Sequence, residues 1–268
     1  MRRQPAMMDA VAIVTGASSG IGAATARELG RRRATVILAA RSVSELEAQA
    51  ETIRSDGGQA VVIPTDVADP AQVERLANAA IAAVGRVDVL VNCAGANWLR
   101  PFTMTSADEI AELVRVNLVG AMLLTRAVLP GMLERGRGAI ISVGSVQSRV
   151  AVEPVYSATK FGLRGFSLAL RRQLAGSGVS VSLVLPGNIR TAMTSHLSEP
   201  MPGPDIVARV IADLVTHPRR EVIVPRKYSA TVWVDQLLPD LADLVYRRRH
   251  RSDGWGRVGE DNLGSRRQ

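Results

Sequence analysis

The chain has 268 residues, 47% of them hydrophobic and 22% charged, so it can bury a sizeable core and is not a disordered protein. Only 3% are aromatic, which predicts an aliphatic core, as in a sheet of buried strands covered by Ala-rich helices. The net charge is +8, and the single cysteine, Cys93, excludes an intrachain disulfide and favours a reducing compartment.

The first ten residues, MRRQPAMMDA, contain no apolar run, so the sequence predicts no signal peptide. No stretch reaches the roughly 18 uncharged apolar residues that a membrane span requires. We therefore expect a cytoplasmic protein.

Short apolar runs rich in β-branched residues alternate along the chain with patterns typical of helices. Parallel strands buried on both faces have this continuous apolar character. The predicted strands are residues 10–15, 34–40, 60–65, 87–92, 138–143, 179–185 and 221–224. The predicted helices are residues 44–55, 70–84, 106–135 and 154–175. This alternation indicates an α/β protein with a Rossmann-like, doubly wound parallel sheet of about seven strands and helices on both faces.

A glycine-rich turn, TGASSGIG at residues 15–22, follows the first predicted strand and leads into a helix. At such a turn the backbone amides and the helix N-terminus face an anion, and glycine lets the backbone approach a dinucleotide pyrophosphate. The spacing of Gly16, Gly20 and Gly22 differs from the commonest pattern, GxGxxG. A purely structural turn is therefore the alternative.

Tyr156 and Lys160 are four residues apart and so lie on one face of a predicted helix. The chain has 33 Lys and Arg residues and only two are lysine, which sets this position apart. A tyrosine with an ordinary pKa of about 10 is a poor base at neutral pH, and a nearby ammonium lowers that pKa by favouring the phenolate. The pair is thus suited to proton transfer, whereas the alternative is a chance surface lysine on an amphipathic helix.

Taken together, these motifs resemble those of the classical short-chain dehydrogenases/reductases, whose glycine motif is TGxxxGIG. NCAG at residues 92–95 is similar to the family's NNAG, with Cys93 in place of the second Asn, and residues 186–191 are similar to its PGxxxT. The resemblance extends from about residue 11 to residue 224. Its motifs occur in the family's order, each at its expected strand end.

The resemblance implies four catalytic residues, Asn117, Ser145, Tyr156 and Lys160. The family's serine polarises the substrate carbonyl, where a hydroxyl stabilises developing negative charge. Two fewer residues separate Ser145 from Tyr156 than is usual in the family, and the other candidate, Ser142, lies within a predicted strand. We therefore assign Ser145 and expect a shortened loop bordering the substrate.

Asn117 lies in the middle of a predicted helix, where Asn has poor propensity. In the family this residue bends the helix and holds a water linked to the catalytic lysine. The alternative is a polar residue on an exposed helix face.

The second predicted strand ends in ILAARS, where NAD-specific sites carry Asp or Glu. Here Ala40 is followed by Arg41, whose guanidinium can bind a 2′-phosphate that an acidic residue would repel. The family shows the same choice, so we expect NADP(H); the alternative is a strand-end arginine facing water. The motifs and the resemblance predict as cofactor-binding residues Gly16, Ser18, Ser19, Gly20, Ile21, Gly22, Arg41, Asp66, Val67, Asn92, Ala94, Gly95, Tyr156, Lys160, Pro186, Gly187, Ile189 and Thr191.

The resemblance implies an enzyme that transfers a hydride between nicotinamide and a secondary alcohol/ketone pair. Apolar side chains in the predicted lid, residues 191–204, favour a hydrophobic small molecule, and His196 is interpreted as a surface residue of this lid. The alternative is a catalytically silent dinucleotide-binding sensor or scaffold. The family also implies a homodimer or homotetramer formed through its long helices.

The C-terminal part of the chain departs from the strand–helix alternation. We divide the sequence into one domain, residues 1–226, an apolar helical appendage, residues 227–248, and a basic tail, residues 249–268, which we expect to be disordered. The appendage either packs over the substrate cleft or a neighbouring subunit, or forms an interfacial helix whose basic end rests on anionic lipid. Because no aromatic side chains alternate with the arginines, we expect no nucleic-acid partner.

Overall fold

The centre of the protein is a sheet of seven parallel strands, in the order β3-β2-β1-β4-β5-β6-β7. The computed structural model describes residues 7–252, with side chains up to residue 246. The strands are β1 Val11–Thr15, β2 Thr35–Ala39, β3 Gln59–Val62, β4 Val89–Asn92, β5 Gly138–Val143, β6 Val179–Pro186 and β7 Glu221–Val224. The predicted Rossmann-like, doubly wound fold is confirmed: strand order reverses between β1 and β4, where such sheets open a crevice.

The helices cover both faces of this sheet. Among the described residues they are α1 Gly20–Arg31, α2 Val43–Ser55, α3 Pro70–Val84, α4 Ala107–Val114, α5 Gly120–Glu134, α6 Pro154–Gln173, α7 Asp205–Thr216, α8 Tyr228–Leu237 and α9 Pro239–Ser252. A π-helical turn, Arg115–Val119, joins α4 to α5. Helix α7 was not among the predicted helices, and β3 ends at Val62, three residues before its predicted end, although the N–H groups of Ile63 and Thr65 still donate to Leu38 and Ala40 of the β2 side.

Successive residues of each central strand serve two different cores. Ala12 and Val14 of β1 pack into the cluster on one face, and Ile13 between them packs into the cluster on the other. All the central strands are therefore buried, and their parallel direction brings their carboxyl ends to one edge of the sheet. The loops that follow β1, β4, β5 and β6 meet there.

One continuous helical stretch, Ala107–Glu134, has the length and hydropathy of a membrane span. This test uses length and composition only, and the core helix of a soluble protein passes it as well. Leu124 and Met132 pack against the sheet, but only 33% of the most apolar window is buried. The stretch therefore has one apolar side inside the fold and another on the surface.

The two helices after β7 correspond to the predicted appendage. Val232 of α8 and Ala242 of α9 are buried. Helix α9 extends to Ser252, and the remainder of the predicted disordered tail, residues 253–268, lies outside the described residues.

Gly120 lets the start of α5 approach the loop that follows β3. A Cβ at Gly120 would lie 2.4 Å from the Val67 carbonyl oxygen. We expect Gly120→Ala to lower the free energy of unfolding by about 1–3 kcal/mol, because backbone must move to make room. Denaturant titration measures the change.

Gly165, inside α6, is the matched control because a Cβ there would meet no atom within 4 Å. Gly165→Ala is expected to stabilise by roughly 0.5–1 kcal/mol through helix propensity. Equal effects of the two substitutions would contradict the close approach at Gly120.

Candidate active site

A cleft of about 1440 Å³ lies at the carboxyl edge of the sheet, lined by the segments that follow β1 to β6. Every predicted cofactor-binding residue except Asn92 lines it. Asn92 is buried beneath the cleft, where its Nδ2 donates to Thr125 Oγ1 at 3.1 Å. We therefore place Asn92 as a support of the strand end and not as a wall of the cleft.

The glycines of the TGASSGIG turn are required by its geometry. Gly16 has φ +66, and a Cβ on it would lie 3.0 Å from Ala94 Cα. A Cβ on Gly22 would lie 2.1 Å from the Gly16 carbonyl oxygen. Any side chain at these positions would push the turn away from α1 and from the loop after β4.

The N-terminus of α1 opens into the same cleft. Ser19 is the N-cap residue of α1, and its side chain makes no capping hydrogen bond among the described residues. The first turn of α1 contains no acidic residue. The first amides of the helix are thus free of side-chain partners and favour an anion. This end of the cleft fits a dinucleotide pyrophosphate.

Arg41 follows β2 and lines the cleft with an exposed side chain. The ion pairs formed between described residues do not include it. Its guanidinium is therefore available to a phosphate on the adenosine side of a dinucleotide.

Tyr156 and Lys160 lie on one side of α6 and face the cleft together. The Lys160 Nζ lies 5.5 Å from the centre of the Tyr156 ring and donates to the Val143 carbonyl oxygen at 3.2 Å. Only 3% of Lys160 is exposed, so it is not a chance surface lysine.

Ser145 lines the cleft directly after β5, and its side chain hydrogen-bonds that of Tyr156. Its Oγ also accepts from the Gln147 N–H at 3.1 Å, which fixes the oxygen and leaves the hydroxyl proton to be donated towards the cleft. The other candidate, Ser142, is fully buried within β5. The geometry thus favours the predicted choice of Ser145.

The expected lowering of the pKa of Tyr156 is wrong for the protein itself. Burial raises the pKa of the phenol to about 12; the hydrogen bond from Ser145 opposes this, and the charges of Glu153 and Cys93 add to it. Burial also lowers the pKa of Lys160 to about 8. In both groups the largest cause of the shift is the cost of removing a charge from water.

Asn117 is 1% exposed and lies in the π-helical turn. Its Oδ1 accepts from the Ala96 N–H at 2.8 Å, and its Nδ2 donates to the Ala96 carbonyl at 2.9 Å and to Thr159 Oγ1 at 3.1 Å. This burial excludes the alternative that Asn117 is a polar residue on an exposed helix face. Asn117 does not line the cleft, and its hydrogen bonds join the loop after β4 to the helix of Tyr156 and Lys160.

A second hydrogen-bonded group lies in the shortened loop, which was predicted to border the substrate but without individual assignments. The Glu153 carboxylate accepts from Gln147 Nε2 at 2.9 Å and from Asn97 Nδ2. Ser157 Oγ donates to Gln147 Oε1 at 2.8 Å. Glu153, Gln147 and Asn97 line the cleft, so this end of the cleft contains a fixed carboxylate.

Two threonines inside the recognised motifs also support the site and were not predicted to do so. Thr15, the first residue of the glycine motif, accepts at Oγ1 from the N–H groups of Cys93 and Ala94, both at 3.0 Å. Thr159, inside the YSATK stretch, holds Asn117. In both cases the partner is distant in sequence, so only the motif itself could have indicated them.

The appendage covers part of the cleft. Tyr228, Thr231 and Val232 of α8 and Tyr246 of α9 line it. A Cβ at Gly187 would lie 2.2 Å from the Tyr228 ring, so α8 packs directly on the loop after β6. Of the two interpretations of the appendage, packing over the substrate cleft is the one that describes this inner surface.

This fold and this set of residues define a dinucleotide-dependent oxidoreductase of the Rossmann type. The chain matches the family model described as short chain dehydrogenase over residues 10–202, and it belongs to that family, as the sequence motifs indicated. The ketoacyl reductase HetN of Nostoc sp. is 38% identical over 250 residues, covering 88% of this chain and 87% of the relative.

Two solved structures have the same fold. A metagenomic short-chain oxidoreductase in complex with NADP superposes with a TM-score of 0.74 at 36% identity, covering 82% of this chain and 98% of that chain. A variant of the actinorhodin polyketide ketoreductase with NADPH has a TM-score of 0.76 at 30% identity, covering 81% and 95%.

Replacing Glu153 by Gln tests the electrostatics of this site. Because the carboxylate raises the pKa of Tyr156, its removal is expected to lower that pKa. Alcohol oxidation needs the phenolate as base, so the rising limb of its pH–rate profile should move to lower pH. Steady-state oxidation rates across a pH series measure the shift.

Glu112→Gln is the control, since it removes a carboxylate that lines the same cleft but is not among the groups that raise the pKa of Tyr156. Its profile should coincide with that of the unmodified protein. Identical profiles for all three proteins would contradict the assigned effect of Glu153.

Proposed function

We propose that the protein is an NADP(H)-dependent oxidoreductase that interconverts a secondary alcohol and a ketone of a hydrophobic small molecule. One observation carries this proposal: Ser145, Tyr156 and Lys160 face the same cleft into which the glycine-rich turn and α1 open. A binding module without turnover has no need of a serine and a tyrosine hydroxyl placed together beside a buried lysine.

The side chains act on the oxygen of the reacting carbon. Ser145 donates a hydrogen bond to the carbonyl oxygen, which stabilises negative charge as it develops. Tyr156, neutral at physiological pH because its pKa is about 12, donates its proton to that oxygen during reduction. The hydrogen bond from Lys160 Nζ to the Val143 carbonyl oxygen holds the ammonium in place. Its positive charge stabilises the phenolate that remains after proton transfer. The nicotinamide, when bound, supplies or accepts the hydride.

NADP(H), the predicted cofactor, agrees with the solved relatives, which are complexes with NADP and NADPH. In this chain the residues that would hold it are the glycine-rich turn, the N-terminus of α1 and Arg41. An arginine at the end of β2 distinguishes the phosphorylated from the unphosphorylated ribose.

The substrate end of the cleft supports a hydrophobic ketone. Trp98, Leu99, Phe102 and Met193 line the cleft, next to the fixed carboxylate of Glu153. A carboxylate disfavours an anionic group beside the reacting carbon. The relatives named as a ketoacyl reductase and a polyketide ketoreductase suggest an uncharged ketoacyl derivative as one member of this substrate class.

The surface also supports self-association, as the family resemblance implies. The helical stretch Ala107–Glu134 leaves an apolar side exposed, including Leu133, and Phe161 of α6 is exposed as well. A homodimer or homotetramer would cover these side chains, and light scattering of the purified chain measures its mass.

Tyr156→Phe removes the hydroxyl that donates the proton and leaves the ring in place. We expect kcat for ketone reduction to fall by about 10²–10⁴-fold. Affinity for NADPH should remain, because the ring still packs beside Lys160. Steady-state NADPH oxidation with a panel of aromatic and aliphatic ketones and a β-ketoacyl thioester, together with NADPH titration, measures both quantities.

The same measurements separate enzyme from binding module. Turnover that survives the loss of the hydroxyl would exclude the proposed mechanism. Tight NADPH binding with no turnover of any panel member by the unmodified protein would favour a sensor or scaffold.

Arg41→Ala tests the cofactor choice. We expect the Kd for NADPH to rise by roughly 10–100-fold, since a charge-assisted hydrogen bond contributes about 1.5–3 kcal/mol, while the Kd for NADH stays unchanged. Fluorescence titration with both nucleotides measures the two constants. Arg75→Ala on exposed α3 is the control, and equal losses for NADPH and NADH in the Arg41 variant would contradict the assignment.

A further inference from the structure

Helices α8 and α9 present an outer apolar surface in addition to the inner surface that covers the cleft. Trp233 and Leu237 of α8 are 61% and 68% exposed and lie four residues apart, on one face of the helix. Further exposed apolar residues follow in α8, at the break between the two helices and in α9; we call the set the outer stripe, and its members are Trp233, Val234, Leu237, Leu238, Leu241, Leu244 and Val245. So many large apolar side chains on consecutive turns mark an interaction site.

The opposite side of the same helices is anchored to the domain. Val232 and Ala242 are buried, and Tyr228 packs on Gly187. The outer stripe is therefore held in a fixed orientation by the fold and does not belong to a free helix.

The sequence adds positive charge immediately after the stripe. Helix α9, Pro239–Ser252, includes RRRHR at residues 247–251. Arginines at the end of an apolar helix face, together with a tryptophan, are the features of helices that lie in the interface of an anionic bilayer.

Of the acidic residues of α8 and α9, Asp240 is exposed and lies four residues before Leu244 on the same face, whereas Asp235 and Asp243 lie off the stripe. Asp243 is two residues from both Leu241 and Val245, which on an α-helix places it on the other side of the axis. The charges of Asp243 and Asp235 act on each other, so these two carboxylates lie together.

We infer that the outer stripe and the adjoining arginines dock the protein on an anionic phospholipid surface. Arginines at residues 247, 248, 249 and 251 follow the stripe directly, and anionic headgroups attract them. The cleft, which Tyr246 of α9 also lines, then opens beside the lipid surface. An apolar substrate would reach it from the bilayer.

Vesicle flotation of the full-length protein tests this inference without any need for turnover, so its result is separate from that of the proposed reaction. Phosphatidylcholine vesicles are compared with vesicles that also contain phosphatidylglycerol. The protein should float with the anionic vesicles and not with the neutral ones, and added salt should reduce the floating fraction.

Two matched pairs of variants identify the groups responsible. Trp233→Ser with Leu237→Ser should lower vesicle partitioning by about tenfold or more, and Val43→Ser with Ile81→Ser, exposed apolar residues elsewhere, should not. Replacing Arg247, Arg248 and Arg249 by Gln should lower it on the order of a hundredfold. The same change at Arg75, Arg172 and Arg209, exposed on other helices, should have a small effect.

The inference is overturned if the unmodified protein does not float, or if each test variant partitions like its control. It is also overturned if Trp233→Ser with Leu237→Ser dissociates an oligomer in lipid-free light scattering, because the stripe is then covered by a second copy. A circular dichroism spectrum that is unchanged in the variants shows that they remain folded.

Discussion

The buried amide of Asn117 is the link that joins two segments of the candidate site. A buried amide must have its hydrogen bonds satisfied, and here both sides of it bind the backbone of Ala96 while its nitrogen also reaches Thr159. This joins the loop after β4 to α6, whose Tyr156 and Lys160 face the cleft. The π-helical turn at Arg115–Val119 is the local adjustment that directs the amide to both partners, and such turns are frequent at functional sites.

Burial is the largest cause of the pKa shifts in the proposed catalytic pair. The phenol of Tyr156 and the ammonium of Lys160 are both removed from water, which favours the neutral form of each group. The pKa of Tyr156 is therefore raised to about 12, and that of Lys160 is lowered to about 8. The phenol is thus held in the protonated form that reduction of a ketone requires, while Lys160 keeps its charge at neutral pH. Glu153 adds to this bias from the substrate end of the cleft.

The sequence predicted the sheet well because parallel strands buried on both faces have an unbroken apolar pattern that is local in the chain. The structure places Ser145, Tyr156 and Lys160, which the motifs singled out, around one cleft, since strand ends in such a sheet converge on one edge. The remainder depends on contacts between distant residues. The π-helical turn could be predicted only from the contact between Asn117 and Ala96. The hydrogen-bonded group around the Glu153 carboxylate likewise depends on its contact with Asn97, which is distant in sequence. The shift of the tyrosine pKa depends on how deeply the phenol is buried, which no spacing reveals.

This difference between local sequence patterns and contacts of distant residues also explains why the reaction is easier to infer than the substrate. The groups proposed to act on the hydride and the proton follow strands of the sheet or lie on α6, and their positions are set by the core. The substrate end is formed by the short loop with Gln147 and Glu153, by the segment with Met193, and by α8, which reaches the site only because Gly187 leaves room for the Tyr228 ring. None of these residues belongs to the two buried clusters that pack the sheet. The chain can therefore vary its substrate through them while its chemistry stays fixed.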